Sequence, residues 1–382
     1  MRSLVTRFSE IETPFYWYDM SVLESTLNAL IAANKYGYHV HYALKANNNR
    51  PILDKIRAAG LGVDCVSGNE IKLALDYGFD SSQIVLAGVG KTDKEINFAI
   101  DHNIFSFNVE SIEELKVIDQ IAASKGKTPN ISIRINPAID AGTHYKITTG
   151  SKENKFGISR EELLSSLDYI QSLQNIHFIG VHYHIGSQIT DLTRFKNLAT
   201  RVNEIQTALV NRGVELPHLN VGGGLGIDYL NPDTNGVPDF ESYFSIFNEH
   251  VQLLPGQEIH FELGRSIVGQ CGSLISKVLF TKESGETKFL IIDAGMTDLM
   301  RPALYSAEHL AQNLSSLETD MHYYDVVGPV CESSDVFNKK ISLPKSKRGD
   351  IVALRSAGAY GETMKNAYNV RDLAKAYYST DF

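Results

Sequence analysis

Cysteine is scarce in this chain. Among 382 residues only Cys65, Cys271 and Cys331 carry thiols, an odd number with no CxxC pair. That arithmetic excludes a disulfide framework and points to a reducing compartment. Long apolar runs are missing as well. No stretch approaches the ~18 consecutive apolar residues of a membrane span. The opening MRSLVTRFSEIETPFYWYDM has neither an unbroken apolar core nor a small-residue cleavage site, so no signal peptide is expected. Basic clusters are absent, and 36 Lys and Arg against 45 Asp and Glu leave a net charge of −9. This argues against nucleic acid and acidic membranes as partners. No low-complexity segment occurs, and no short-period repeat beyond the strand–helix units described next. What remains is an ordinary globular composition, with a mean hydropathy of −0.15. The expected setting is the cytoplasm, and the expected partner is a small molecule.

At ~100–200 residues per domain the length predicts two domains. Through the first two thirds, short apolar runs alternate with longer amphipathic ones. HVHYAL (39–44), GVDCV (62–66), QIVLAG (83–88), IFSFNV (104–109), ISIRIN (131–136), IHFIGVHYHIG (176–186), HLNVGG (218–223) and EIHFEL (258–263) are eight candidate strands. Segments 50–60, 68–78, 111–126 and 191–213 carry apolar residues at three- and four-residue spacing and stop at or near a glycine, as at Gly60, Gly78 and Gly213. Alternating strand and helix means crossover connections and a parallel sheet. Eight units fit a closed (β/α)8 TIM-type barrel, with an open doubly wound sheet as the alternative. After about Arg265 the texture changes to β-like segments separated by turn residues, predicting a mostly β C-terminal domain. The boundaries read as 30–265 for the barrel, and 1–29 plus 266–382 for the β-rich domain, which FYWYDMS at the start of the chain is placed to join.

Function in such a barrel sits at the C-terminal ends of the strands. Those positions hold Lys45, Asp64, Arg134, His184, Gly222-Gly223-Gly224, Glu262 and Arg265. A lysine desolvated at Lys45 can lose its proton and attack a carbonyl; alone, it can equally be a solvated lysine past a strand end. LNVGGGLGI lets backbone approach a phosphate, although a plain tight turn has the same look. His182 and His184, two apart, can ligate a metal. The preferred reading makes His184 a ring on the face of a planar cofactor and leaves no metal site. Glu262 can keep a pyridine nitrogen protonated, and Arg265 can hold a carboxylate; a surface Glu–Arg pair is the plainer account.

Taken together, HYALKAN, DCVSGNE, RINP, ENKFGI, HYHIGSQ, NVGGGLGIDY, FELGRSIV, DAGMTDLMRPALY, GPVCESSD and SAGAYGETM followed by YN resemble the diaminopimelate decarboxylase family. That family is a branch of the alanine racemase-like, fold type III pyridoxal-phosphate enzymes, and the resemblance runs from about Thr13 to about Asn369. It implies that Lys45 carries pyridoxal 5′-phosphate, that His184 stacks on its ring, and that Asp64 and Arg134 position Lys45 and the phenolic oxygen. It places Ser187, Gly222, Gly223, Gly224 and Tyr360 at the phosphate, Glu262 at the ring nitrogen, and Gly264 beside the cofactor. Arg265, Arg301, Tyr305 and Tyr360 would meet the substrate, Glu332 its distal amine, and Cys331 would return a proton after carbon dioxide leaves. Cys331 and Glu332 would come from the other subunit of a homodimer. The family's usual Glu-Pro-Gly-Arg here reads Glu262-Leu263-Gly264-Arg265, so only the stiffness of that turn is expected to differ. The implied reaction converts meso-2,6-diaminopimelate to L-lysine. Decarboxylation of ornithine, arginine or carboxynorspermidine is the nearest alternative. A racemase, a non-catalytic cofactor carrier and a metal-dependent barrel hydrolase are more distant ones. For Cys331 the plainer reading is a small buried hydrophobe.

Overall fold

The computed structural model describes residues 1–139 and 155–381; Glu153 and Asn154 of the ENKFGI motif lie outside the described residues. The chain forms two compact units. One comprises Leu27–Gly226 with Asp239–Gly264, the other Met1–Thr26, Ile227–Pro238 and Arg265–Phe382.

In chain order the first strand, β1 (Phe15–Tyr18), belongs to the second of these units. The barrel unit then contributes β2 (His39–Ala43), β3 (Gly62–Cys65), β4 (Ile84–Leu86), β5 (Ser106–Val109), β6 (Asn130–Arg134), β7 (His177–His182), β8 (His218–Asn220) and β9 (Glu258–Leu263). Each runs parallel to the next, and β9 pairs back to β2 with His39 opposite His260 and His41 opposite Glu262. The closed barrel is therefore the fold, not the open sheet. All eight predicted runs become strands, because residues buried on both faces of a parallel sheet read as nearly continuous apolar stretches.

The helices start where the local chemistry starts them. Ser67, Ser111 and Ser159 each accept a hydrogen bond from the backbone of Glu70, Glu114 and Glu162, and Thr92 with Glu95 closes a full capping box. Gly60, Gly78 and Gly213 take the left-handed backbone that ends a helix. Outside the strands an aromatic cluster of Phe195, Tyr243, Phe244, Phe247 and Phe261 joins two helices to β9.

The barrel's interior is unusually polar. His41, Ser106, Asn108, Ser132, His182, His218, Asn220, His260 and Glu262 are all buried on barrel strands, where branched aliphatic side chains normally fill the layers. Alternation along β9 sends Glu258, His260 and Glu262 to one face.

The second unit is a mixed sheet. It is built on β10 (Gly272–Ser284), β11 (Thr287–Ile292), β12 (Ala311–Asn313), β13 (Met321–Val327), β14 (Val336–Pro344), β15 (Ile351–Leu354) and β16 (Lys375–Tyr378). Its order is β12-β15-β10-β11-β13-β14, with β1 antiparallel to β10 and parallel to β16. FYWYDMS does join this sheet. Phe8, Phe15, Trp17, Ile275, Leu314, Ile351 and Ala353 form a core there.

Gly180 on β7 tests how tightly the barrel closes. A Cβ at Gly180 would lie 1.7 Å from the carbonyl oxygen of His218, whereas one at the helix-ending Gly213 meets nothing within 4 Å. Gly180→Ala should cost on the order of 3 kcal/mol or leave the chain insoluble. Gly213→Ala should cost only ~1 kcal/mol, from its positive φ. Urea midpoints of the two variants decide this, and equal losses would mean β7 and β8 are not so closely seated.

Candidate active site

Lys45, Asp64, Arg134, His184, Gly222–Gly224 and Glu262 stand at or just beyond strand ends of the barrel unit, whereas Arg265 belongs to the second unit. Lys45 does not end β2; the strand stops at Ala43 and a single turn, Leu44–Ala46, carries the lysine. Its Nζ donates to Oδ2 of Asp64 at 2.9 Å. Asp64 is buried on β3, and its Oδ1 has no partner among the described residues. Burial pushes the Asp64 carboxyl above its usual range, against the pull of Lys45.

Glu262 is the most heavily anchored group. Its Oε1 accepts from Nδ2 of Asn108 at 2.7 Å and Nδ2 of Asn220 at 2.8 Å, and its Oε2 accepts from Nε2 of His182 at 3.0 Å. Four strands thus converge on one carboxylate. Burial favours the neutral acid, but His182, Lys45 and His184 outweigh it and bring the group below the ordinary carboxylate range. A carboxylate has about four lone-pair places; three are taken, and one on Oε2 is left for another donor. Asn108, Asn220 and the anchoring role of His182 are not evident from the sequence. Asn and His on a buried strand are the only signal, and a weak one.

His184 lies beyond the end of β7 at His182. Its Nδ1 accepts from the N–H of Gly223 at 3.3 Å, and burial, followed by the charges of Arg134 and Lys45, lowers its pKa to about 3. The ring is therefore neutral. Gly222 and Gly224 have φ of 70° and 104°. Cβ atoms at Gly222, Gly223 and Gly224 would fall 2.2, 1.9 and 2.5 Å from the carbonyl oxygens of Tyr183, Glu262 and Gly186. Only glycine fits this loop, which brings bare backbone to the barrel's end. Ser187, half-buried, follows Gly186, whose carbonyl faces Gly224, and Gly264 follows β9. Leu263, where the family has proline, is buried and sits opposite Tyr42 in the ladder.

Arg134 donates to Oε1 of Glu110 at 2.8 Å and lies 4.6 Å from the ring centre of Phe156. The other oxygen of Glu110 accepts from the N–H of Gly157 at 2.7 Å, so Glu110, unremarked in the sequence, holds that segment to β6.

The second unit holds its own charged centre. Arg301 donates to the hydroxyl of Tyr229 at 2.8 Å and contacts Nε2 of His309 at 2.9 Å. Arg265 also donates to Tyr229 and lies 4.9 Å from the ring centre of Tyr360. Both guanidiniums are buried. Arg301 makes no ion pair among the described residues, and its Nε has no partner there. Burial lowers its pKa, Tyr229 opposes that, and Arg265 adds to it. Tyr305 closes the short helix Arg301–Tyr305, and Tyr360 has a φ of 57°. Tyr229 is present in the NVGGGLGIDY motif, but nothing in the sequence singles out His309.

Cys331 is exposed, which removes the reading as a buried hydrophobe. It lies with Glu332 in the loop between β13 and β14. Asp335 clamps that loop, accepting from the N–H of Met296 at 2.6 Å and of Val330 at 2.7 Å. A Cβ at Gly328 would lie 2.3 Å from Oδ2 of Asp335. Glu332 accepts from the hydroxyl of Tyr368 at 2.6 Å.

Residues 23–269 match the family described as "Pyridoxal-dependent decarboxylase, pyridoxal binding domain". The chain is 54% identical over 379 residues to a diaminopimelate decarboxylase of Bacteroides thetaiotaomicron, covering 99% of this chain and 98% of that one. It is 38% identical over 363 residues to a diaminopimelate decarboxylase of Aquifex aeolicus, covering 95% and 85%. The crystal structure of diaminopimelate decarboxylase from Helicobacter pylori complexed with L-lysine is similar at a TM-score of 0.92 and 40% identity, covering 99% of this chain and 94% of that one.

The anchoring of Glu262 predicts a split between two substitutions. Glu262→Ala strands three buried donors and should cost on the order of 3–5 kcal/mol. Glu262→Gln should cost about 1–2 kcal/mol, because its carbonyl still accepts from the asparagines and His182 can move its proton to Nδ1 and accept from the new amide. Urea unfolding of the cofactor-free proteins measures both, and identical losses would show that the donors find other acceptors.

Proposed function

The chain belongs to the pyridoxal-dependent decarboxylase family, and on that premise we propose that it converts meso-2,6-diaminopimelate to L-lysine and carbon dioxide with pyridoxal 5′-phosphate as cofactor. The barrel residues suit that cofactor by their own chemistry. A glycine loop that no Cβ can enter suits a phosphate, a neutral imidazole suits the face of a planar ring, and the open lone pair on Oε2 of Glu262 suits a protonated ring nitrogen. When bound, pyridoxal phosphate supplies an electron sink for the pair left on Cα as carbon dioxide departs.

Each side chain then has one task. Lys45 holds the cofactor covalently through its amine, and Asp64 sets the direction of that amine. Glu262 retains a proton on the ring nitrogen, and the three donors around it keep the carboxylate ionised and in place. His184 lends its ring face. Gly222, Gly223, Gly224, Ser187 and Tyr360 take the phosphate, with Gly264 beside them, and Arg134, aimed by Glu110, takes the phenolic oxygen.

The observation that carries the substrate assignment is the buried guanidinium of Arg301, which has no acid beside it among the described residues. A buried cation without a counter-ion calls for an anionic ligand. Diaminopimelate keeps a second carboxylate after losing the first, whereas ornithine and arginine offer only a cation at the far end. Arg265 and Tyr305 join Arg301 in this role. We assign Cys331 the return of a proton to Cα and Glu332 the distal amine, both in the active site of the neighbouring subunit of a homodimer. No described helix is long and apolar enough to cross a membrane. That fact and the unpaired cysteines support a location in the cytoplasm.

Arg301→Ala tests the substrate. It should lose at least two decades of kcat/KM on diaminopimelate. A wild-type preference for ornithine, arginine or carboxynorspermidine would overturn the substrate assignment while leaving the chemistry.

Mixed dimers test the shared site. Lys45→Ala and Cys331→Ala homodimers should each be nearly inactive. Random exchange places half of the dimers in a mixed state with one intact site of two, so activity should return to about a quarter of wild type. Verified mixed dimers without recovery would show that each site is built from one chain.

A further inference from the structure

At the N-terminal mouth of the barrel, four residues before Glu262 on β9, a separate cluster stands without an assigned purpose. His39 begins β2 and Glu258 begins β9, and His260 follows two residues later, opposite His39 in the ladder. One ligand atom from each of the three lies within 4.8 Å of the others. Nε2 of His39 is 3.4 Å and Nε2 of His260 is 3.8 Å from Oε2 of Glu258. Two nitrogens and an oxygen bound at ~2.0–2.1 Å to one tetrahedral ion would be about 3.3 Å apart, so the spacing is already close.

The ring nitrogens of His260 can be assigned one after another. Nδ1 of His41 contacts the carbonyl oxygen of Gln83 at 3.1 Å. A carbonyl only accepts, so Nδ1 of His41 carries the proton and its Nε2, in a neutral ring, is bare. Nδ1 of His260 lies 2.9 Å from that bare nitrogen and must donate to it. With Nδ1 engaged there, Nε2 is the ring nitrogen of His260 that faces Glu258 and His39. That Nε2 has no hydrogen-bond partner among the described residues, and the residue is only 3% exposed. An unpartnered buried ring nitrogen beside a carboxylate leaves a place for a cation between them. The His41 to Gln83 relay is the arrangement in which metal-binding imidazoles are usually held, with the second nitrogen donating to a fixed acceptor.

We propose that His39, Glu258 and His260 form a divalent transition-metal site at the N-terminal mouth of the barrel. Two imidazoles and one carboxylate select zinc, cobalt or nickel over magnesium or calcium. The His39 ring is stacked on His260, with centroids 4.5 Å apart and planes 16° apart. It is half exposed, and on binding it turns out of the stack to aim its lone pair at the ion. Glu258 lies about 13 Å along the strand from Glu262, at ~3.3 Å per residue, so the site is structural. It clamps β2 to β9, the seam that closes the barrel.

The test uses untagged holoenzyme stripped with EDTA. Zinc titration by calorimetry should give one ion per chain, cobalt should give visible d–d absorption of a nitrogen–oxygen site, and zinc should raise the Tm. His39→Ala and Glu258→Gln, both at exposed positions, should each weaken zinc binding at least tenfold and abolish the rise in Tm, with decarboxylase activity unchanged. His260→Ala should bind no ion. If it does not fold, the two exposed variants decide alone. Wild-type protein that takes up no zinc at micromolar concentrations overturns the proposal. So does a His39→Ala, Glu258→Gln double variant that binds with wild-type stoichiometry and affinity.

Discussion

Glu262 is the group around which the barrel must be built. A carboxylate so deeply buried survives as an anion only if the protein replaces the water it has lost. Asn108, Asn220 and His182 do that from three other strands. Their convergence requires a closed barrel with correct stagger, because an open sheet would leave β5 far from β9. Asn108, Asn220 and His182 stand where aliphatic side chains usually fill a barrel, and deeper in the interior His218 and His260 keep ring nitrogens without a partner among the described residues.

The arginine centre of the second unit follows the opposite principle. Glu262 accepts from three donors, whereas among the described residues Arg301 meets a tyrosine hydroxyl and an imidazole, neither of which neutralises it. The first arrangement fixes a charge permanently and the second holds one in reserve for a ligand. Preorganisation of this kind makes the unliganded protein less stable than it need be and the bound state more selective.

How much of this was legible in the sequence depends on the kind of signal. The eight strands are legible as short apolar runs, and several helices by their apolar spacing and the glycines that end them, as at Gly60, Gly78 and Gly213. Strand-end positions single out Lys45, Asp64, Arg134, the glycine loop and Glu262 in the sequence. Their supporting residues were not legible, because Asn108, Asn220, Glu110 and His309 matter only through partners far away in the chain. His182 is visible in the sequence as half of a histidine pair two residues apart, but nothing local shows which carboxylate it meets. The β-rich unit was legible as texture, while its short strands β12 and β16 and the helices Val5–Glu10 and Met20–Ala33 were missed. Those elements take their conformation from the sheet and core they dock on, which no local pattern records.

β1 lies between β10 and β16, with Phe15 opposite Ile275 on one side and Lys375 on the other. A ribosome that has just released Phe15 must make some 260 more residues before the first of those partners exists, and at ~5–20 residues per second that is a wait of tens of seconds or less. Through that interval an aromatic strand, FYWY, has no sheet to join, while the barrel segments can already be pairing locally. Biosynthesis therefore leaves β1 open to chaperones and proteases through that interval. The β-rich unit can close only after β16 has emerged.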